Sequence, residues 1–190
     1  METSAAMSHP RWQSPRLARL GRRVLERMGW TIENPFPSVS RSVVIVAPHS
    51  SNWDFIVGLS TAWAVDLKPT FVGKHTLFRW PLGYLMRKLG GIPVNREKTA
   101  GFVEKTSGLV ADSDRIALVI TPEGTRKAVE RWRTGFYHIA RTADVPIVPA
   151  YLDWGKRRVG FGAPFIPTGD VESDVETLQA FYSAFQGRRH

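Results

Sequence analysis

Two periodicities alternate along this chain. Ser42-Val-Val-Ile-Val-Ala47 is an unbroken β-branched run, the pattern of a strand buried on both faces. Arg115-Ile-Ala-Leu-Val-Ile-Thr121 and Val145 to Leu152 repeat it. Shorter extended runs fall near Thr70 to Gly73, Ile92 to Asn95 and Arg158 to Phe161. Between them the spacing is helical. Ser51 or Asn52 is placed to cap a helix running to about Ala64. Further helices are expected around Pro81 to Leu89, Ala100 to Ala111, Gly135 to Thr142 and Glu172 to Phe185. Strands alternating with helices predict an α/β fold, a single domain with a central mixed, mainly parallel β-sheet flanked by helices. In such sheets binding sites gather at the carboxyl ends of strands. His49 and Glu123 each follow a strand by a few residues, which puts both on one rim.

One helix precedes this alternation. From about Pro15 to Trp30, Leu17, Leu20, Val24 and Met28 form an apolar stripe. Arg16, Arg19, Arg22, Arg23 and Arg27 cover most of the remainder, and Asn34, Pro35 and Pro37 end the segment. Two readings stand: a surface helix packed on its own core, or an interfacial helix whose arginines meet lipid phosphates. The organisation is therefore residues 1–41, a tail and basic amphipathic helix, followed by residues 42–190 as the main globular unit.

Composition narrows the chemistry. There are 190 residues, enough for a core without staples, and 43% are hydrophobic. The absence of cysteine excludes disulfides, thiolate metal sites and a cysteine nucleophile together. No apolar run approaches the roughly 18–20 residues that span a bilayer. The net charge of +9 favours anionic partners, namely nucleic acid, anionic lipid or phosphorylated small molecules.

His49 and Asp54 are the first candidates for catalysis. An aspartate in the first turn of a helix can fix the tautomer of a histidine five residues earlier and stabilise its imidazolium. This spacing is common by chance, so the pair alone decides nothing. The surrounding blocks do. His49-Ser-Ser-Asn-Trp-Asp54 resembles the H-x4-D signature of the glycerolipid (1-acyl-sn-glycerol-3-phosphate) acyltransferase superfamily. Gly73-Lys74-His-Thr-Leu77 through Gly83 to Gly91-Ile-Pro-Val-Asn-Arg96 resembles its second block. Pro122-Glu-Gly-Thr-Arg126 resembles its third, and Val145-Pro-Ile-Val-Pro149 its fourth. Four blocks in order cover roughly Val43 to Leu152.

The resemblance implies direct transfer of a fatty acyl group from acyl-CoA or acyl carrier protein to a hydroxyl. His49 is then the general base and Asp54 its orienting partner. The acceptor is a lysophospholipid, 1-acyl-sn-glycerol-3-phosphate in the first instance. Its phosphate falls to Arg96 and Arg126, whose guanidinium forks suit phosphate oxygens, with Lys74 as an added charge. Glu123, Gly124 and Thr125 belong to the same acceptor-handling block. Glu123 is open to a pairing with Arg126 that would shape the loop. Ser50 and Ser51 read as cap or loop hydroxyls, since no G-x-S-x-G elbow is present.

Three positions depart from the family's habit: Pro48 in place of asparagine, Thr121 in place of phenylalanine, and Lys127 in place of serine. They adjoin the site and leave the acceptor open, a non-phosphorylated alcohol included. The chain is short for the family, so its membrane-embedding region is expected to be reduced to the one basic helix. That places the protein peripherally, on the cytosolic face of an anionic membrane, with Trp30, Trp132 and Trp154 as candidate interfacial anchors. The same three tryptophans can equally be core. No resident cofactor, metal or nucleic-acid partner is expected, and oligomeric state is open. The rival class is a non-catalytic basic module for membrane or nucleic acid. Its basic residues are spread along the chain and carry no recognised nucleic-acid motif.

Overall fold

The computed structural model describes residues 9–94, 101–125, 129 and 131–188. Six α-helices and seven strands follow one another as α1 (Pro15–Arg27), β1 (Thr31–Ile32), β2 (Arg41–Ala47), α2 (Trp53–Ala64), β3 (Thr70–Lys74), a 3-10 turn (His75–Phe78), α3 (Leu82–Lys88), β4 (Gly91–Val94), α4 (Phe102–Ala111), β5 (Ile116–Ile120), α5 (Gly135–Thr142), β6 (Ile147–Asp153), β7 (Arg158–Phe161) and α6 (Val171–Tyr182). The strands make one sheet in the order β1-β7-β6-β2-β5-β3-β4. All neighbours are parallel except β6 and β7. The mixed, mainly parallel sheet expected from the alternation is thus present.

Strand β2 is the centre, and its residues point alternately to two helical layers. Val43, Ile45 and Ala47 pack with Val110, Phe136, Ile139, Leu178 and Tyr182, residues of α4, α5 and α6. Val44 packs on the other face with Ala62, Val148, Ala150 and Phe161. Because both faces are covered, the strand contains no outward polar position to break the run, and Ser42 is itself fully buried.

The first helix settles onto that second layer. Ser14 caps α1 by accepting the amide of Leu17 at 3.4 Å, and Pro15 occupies its first turn. It ends earlier than the prolines would enforce, at Gly29, whose φ of 71° lets the Trp30 amide turn back to the Leu25 carbonyl. The buried seam is Gly21 and Leu25, with Leu20 left 46% exposed. A Cβ on Gly21 would lie 2.3 Å from the Ser60 carbonyl and 2.8 Å from the Ala64 amide nitrogen. The absence of a side chain is what lets α1 and α2 cross backbone to backbone. Of the two readings of this helix, the body supports packing on the core, while its arginines stay exposed. Thr31–Ile32 then adds a short edge strand beside β7, which no apolar run announced.

Trp30 is 3% exposed and stands edge-to-face on Trp154 at 4.9 Å. Trp132 packs against Phe136 and Tyr182. Trp30 is core, while Trp132 and Trp154 are half-buried and packed on other aromatic rings. Among the described residues the exposed tryptophans are Trp53, at 50%, and Trp80, at 91%.

Candidate active site

The site is assembled by strand register. β2 pairs with β5 up to Ile45↔Ile120 and with β6 up to Ala47↔Tyr151. Parallel strands end on the same side, so the residues just past β2 face those just past β5 and β6. His49 thereby meets Glu123, and the start of α2 meets Trp154.

Asp54 lies in the first turn of α2, where the helix amide dipoles favour a negative charge. It is 3% exposed, and its oxygens are fully engaged. Oδ2 accepts the amides of Ser50 at 2.6 Å and Ser51 at 2.7 Å. The same oxygen lies 3.3 Å from His49 Nδ1. Oδ1 accepts the indole N–H of Trp154 at 2.8 Å. Burial pushes this carboxyl up. The donors from His49, Ser51, Trp154 and Ser50 outweigh it, and the group sits below the usual carboxylate value. Asp54 is therefore an anion at neutral pH, aimed at one imidazole nitrogen. Nδ1 of His49 is committed to it, which leaves Nε2 as the working nitrogen.

The second loop is tied to the first through the histidine's own backbone. The His49 amide donates to Glu123, 3.2 Å from each carboxylate oxygen. Burial pushes the Glu123 carboxyl pKa above its usual value, opposed by this amide and by His49 and reinforced by the charge of Asp54. The sequence left Glu123 without a definite role and open to a pairing with Arg126. Its carboxylate brackets the two motif loops, and the pairing with Arg126 lies outside the described residues. Gly124 follows with φ of 66°, and a Cβ there would stand 2.9 Å from Nε of Arg133. The bare backbone lets the Arg133 side chain lie against the loop. Thr125 is exposed beside it.

His49, Asp54, Glu123 and Gly124 are thus brought together. Lys74 is exposed at the carboxyl end of β3, on the same rim. With β5 between β3 and β2, it is two strand spacings, about 10 Å, along the sheet. Arg96 and Arg126 lie outside the described residues. Ser51 does serve the start of α2, accepting the Trp53 amide at 3.2 Å, while Asn52 makes no side-chain cap. Ser50 Oγ accepts the amide of Arg188. Both serines are loop hydroxyls, as their sequence context suggests.

Three contributors were not singled out for the site by sequence. Trp154 was read only as an anchor or core residue. Arg188 bonds the Ser50–Ser51 loop and lies 5.0 Å over the Trp154 ring and 5.7 Å over Trp53. Tyr182 supports the floor, its buried hydroxyl 2.7 Å from the Ile45 carbonyl and 3.1 Å from that of Ala150. Trp53, Trp154, Arg157 and Arg188 wall an open cleft together with Met28 and Gln186. Among the described residues no cluster of three or more His, Asp or Glu gathers that could hold a metal.

The structure is thus a mainly parallel sheet covered by helices on both faces, with a buried carboxylate facing a histidine on the carboxyl rim. The model of the acyltransferase family matches residues 28–153, and the chain belongs to that family. The resemblance to glycerolipid acyltransferases seen in the four blocks is borne out. The chain is 27% identical over 142 residues to a 1-acyl-sn-glycerol-3-phosphate acyltransferase of Haemophilus influenzae, covering 70% of this chain and 58% of that protein. It is 28% identical over 129 residues to the Escherichia coli protein of the same name, covering 62% and 49%. The chain spans about half the length of the curated relatives it matches. Its fold is that of the 1-acyl-sn-glycerophosphate (LPA) acyltransferase PlsC of Thermotoga maritima, with a TM-score of 0.64 at 15% identity, over 92% of this chain and 80% of that one.

Proposed function

We propose that this chain transfers a fatty acyl group from the thioester of acyl-CoA or acyl carrier protein to a hydroxyl of a lysophospholipid, 1-acyl-sn-glycerol-3-phosphate, at the cytosolic face of an anionic membrane. The observation that carries the reading is the commitment of Asp54. Two backbone amides and one indole hold it, and Oδ2 faces His49 Nδ1. In the reaction His49 Nε2 takes the proton of the acceptor hydroxyl as its oxygen attacks the thioester carbonyl carbon. The tetrahedral intermediate collapses with cleavage of the C–S bond. The departing thiolate then takes the proton back from His49, so base and acid are one group and no acyl-enzyme forms. Glu123 fixes the height of the histidine by holding its amide. Arg96, Arg126 and Lys74 bind the acceptor phosphate, and Arg133 beside Gly124 adds to that field. The names of the relatives support this acceptor. Among the described residues no helix is long and apolar enough to cross a membrane.

The test is thiol release from palmitoyl-CoA with a panel of acceptors, wild type against His49→Ala. Release that requires lysophosphatidic acid and falls by about two to four decades in the variant supports the proposal. Dependence on another alcohol keeps the chemistry and replaces the acceptor. Absence of His49-dependent release with either a coenzyme A or an acyl carrier protein donor defeats it.

A further inference from the structure

The crossover from β3 to β4 has an unusual outside. Among the described residues eleven large hydrophobic side chains are exposed, and five of them fall between positions 77 and 85. They are Leu77, Trp80, Leu82, Tyr84 and Leu85, exposed by 40, 91, 47, 73 and 50%. The inside of the same segment is firm. Phe78, Gly83 and Met86 are buried. The Gly83 amide bonds the Arg79 carbonyl at 2.7 Å, and Arg87 lies 5.6 Å over the Phe78 ring while reaching the Phe78 and Gly83 carbonyls. The exposed residues are thus presented by a folded support.

Charge says what this surface meets. From Leu67 to Val94 there is no acidic residue. Lys74, Arg79 and Lys88 stand exposed around the apolar arc. Exposed tryptophan and tyrosine amid cations are what a headgroup layer takes up, the rings at the apolar boundary and the cations on phosphate. A second copy of this chain is the poorer occupant, because a two-fold contact through this face would bring its cations together with no acidic residue of the segment to meet them. Position agrees. The segment leaves the carboxyl end of β3, on the rim that bears His49 and Glu123.

We infer that the 3-10 turn and α3 form the membrane-docking surface of this protein, inserting Trp80, Leu82, Tyr84 and Leu85 into an anionic lipid headgroup layer. The inference rests on the lipid-acceptor reading above and names its physical contact. It assigns to the crossover the role that the sequence offered to α1.

The experiment is co-sedimentation of the full chain with phosphatidylcholine vesicles, with and without phosphatidylglycerol. The wild type is compared with Trp80→Ser/Leu85→Ser, Arg79→Gln and Leu20→Ser, the last altering the exposed residue of α1. Binding to anionic vesicles is expected to fall at least about tenfold in the double variant. It should fall severalfold in Arg79→Gln, and stay unchanged in Leu20→Ser. Turnover on a water-soluble short-chain lysophosphatidic acid should be unchanged in the double variant, while turnover on vesicle-borne acceptor drops. Wild-type vesicle binding by the double variant overturns the inference. So does loss of binding in Leu20→Ser alone, or conversion of a dimer to a monomer by the Trp80 substitution. If no acyl transfer is found but vesicle binding still depends on Trp80, the docking surface stands and the reaction falls. If transfer on vesicles needs His49 and ignores the patch, the reverse holds.

Discussion

Two tryptophans on the same side of the sheet have opposite fates. Trp154 is packed against Trp30 and donates its indole N–H to Asp54, so its polar atom is spent inside the protein. Trp80 is 91% exposed on the β3–β4 crossover. Around Trp154, both oxygens of Asp54 and the hydroxyls of Ser50 and Ser51 have partners within hydrogen-bond reach. Around Trp80 large apolar groups stand in water. The first arrangement trades freedom for aim, which is what a proton-transfer pair requires. The second leaves interaction energy unspent, and a second phase is the natural place to spend it.

The contrast breaks most sharply at Asp54. Asp54→Asn retains the shape but loses the anion opposite Nδ1, and turnover in the thiol-release assay should fall by about two to four decades. Trp154→Phe keeps the ring and removes one charge-assisted bond. A loss of roughly tenfold in turnover is expected, with the acceptor KM little changed. Trp80→Phe, measured with the short-chain acceptor, should do nothing, and an equal loss there would erase the distinction between the two regions. Gly83→Ala tests the support beneath the patch. Its Cβ would meet the Phe78 carbonyl oxygen at 2.0 Å. Overpacking of this kind costs roughly 1–3 kcal/mol, seen as a melting temperature lower by a few degrees.

The smallest effect expected is one of pH. Because Asp54 is more acidic folded than unfolded, its contribution to stability is present above the ordinary value of 3.8. It is lost as pH falls from there through the lower folded value. Denaturant midpoints of wild type and Asp54→Asn should therefore converge over that acid range and separate above it. Midpoints that stay parallel across it would show that the aspartate is not held as described.

Much of this was legible before any coordinates. The β-branched run at Ser42–Ala47 read as a buried strand, and β2 occupies Arg41–Ala47. The His–Asp spacing worked because five residues fit between a strand end and the first turn of one helix, a local fact. What stayed hidden was non-local. Trp154 reaches Asp54 across 100 residues, through a register that no single segment encodes. The stripe Leu17, Leu20, Val24, Met28 pointed at roughly the correct face of α1. It missed that Gly21 makes the closest approach, because a glycine carries no hydropathy signal. Thr31–Ile32 was too short to announce itself. Glu123 could be read as a candidate, but its contact with the His49 amide could not, because amides have no letter in a sequence.

The reach of Trp154 has a consequence for synthesis. The signature His49–Asp54 is translated early, yet its anchoring indole belongs to the residue just after β6, the sixth strand to leave the ribosome. A nascent chain ending short of that point carries the histidine beside a carboxylate held by the Ser50 and Ser51 amides alone. The full hold on Asp54 arrives only when β6 docks, so on the proposed mechanism full turnover is expected to begin with the closure of the sheet.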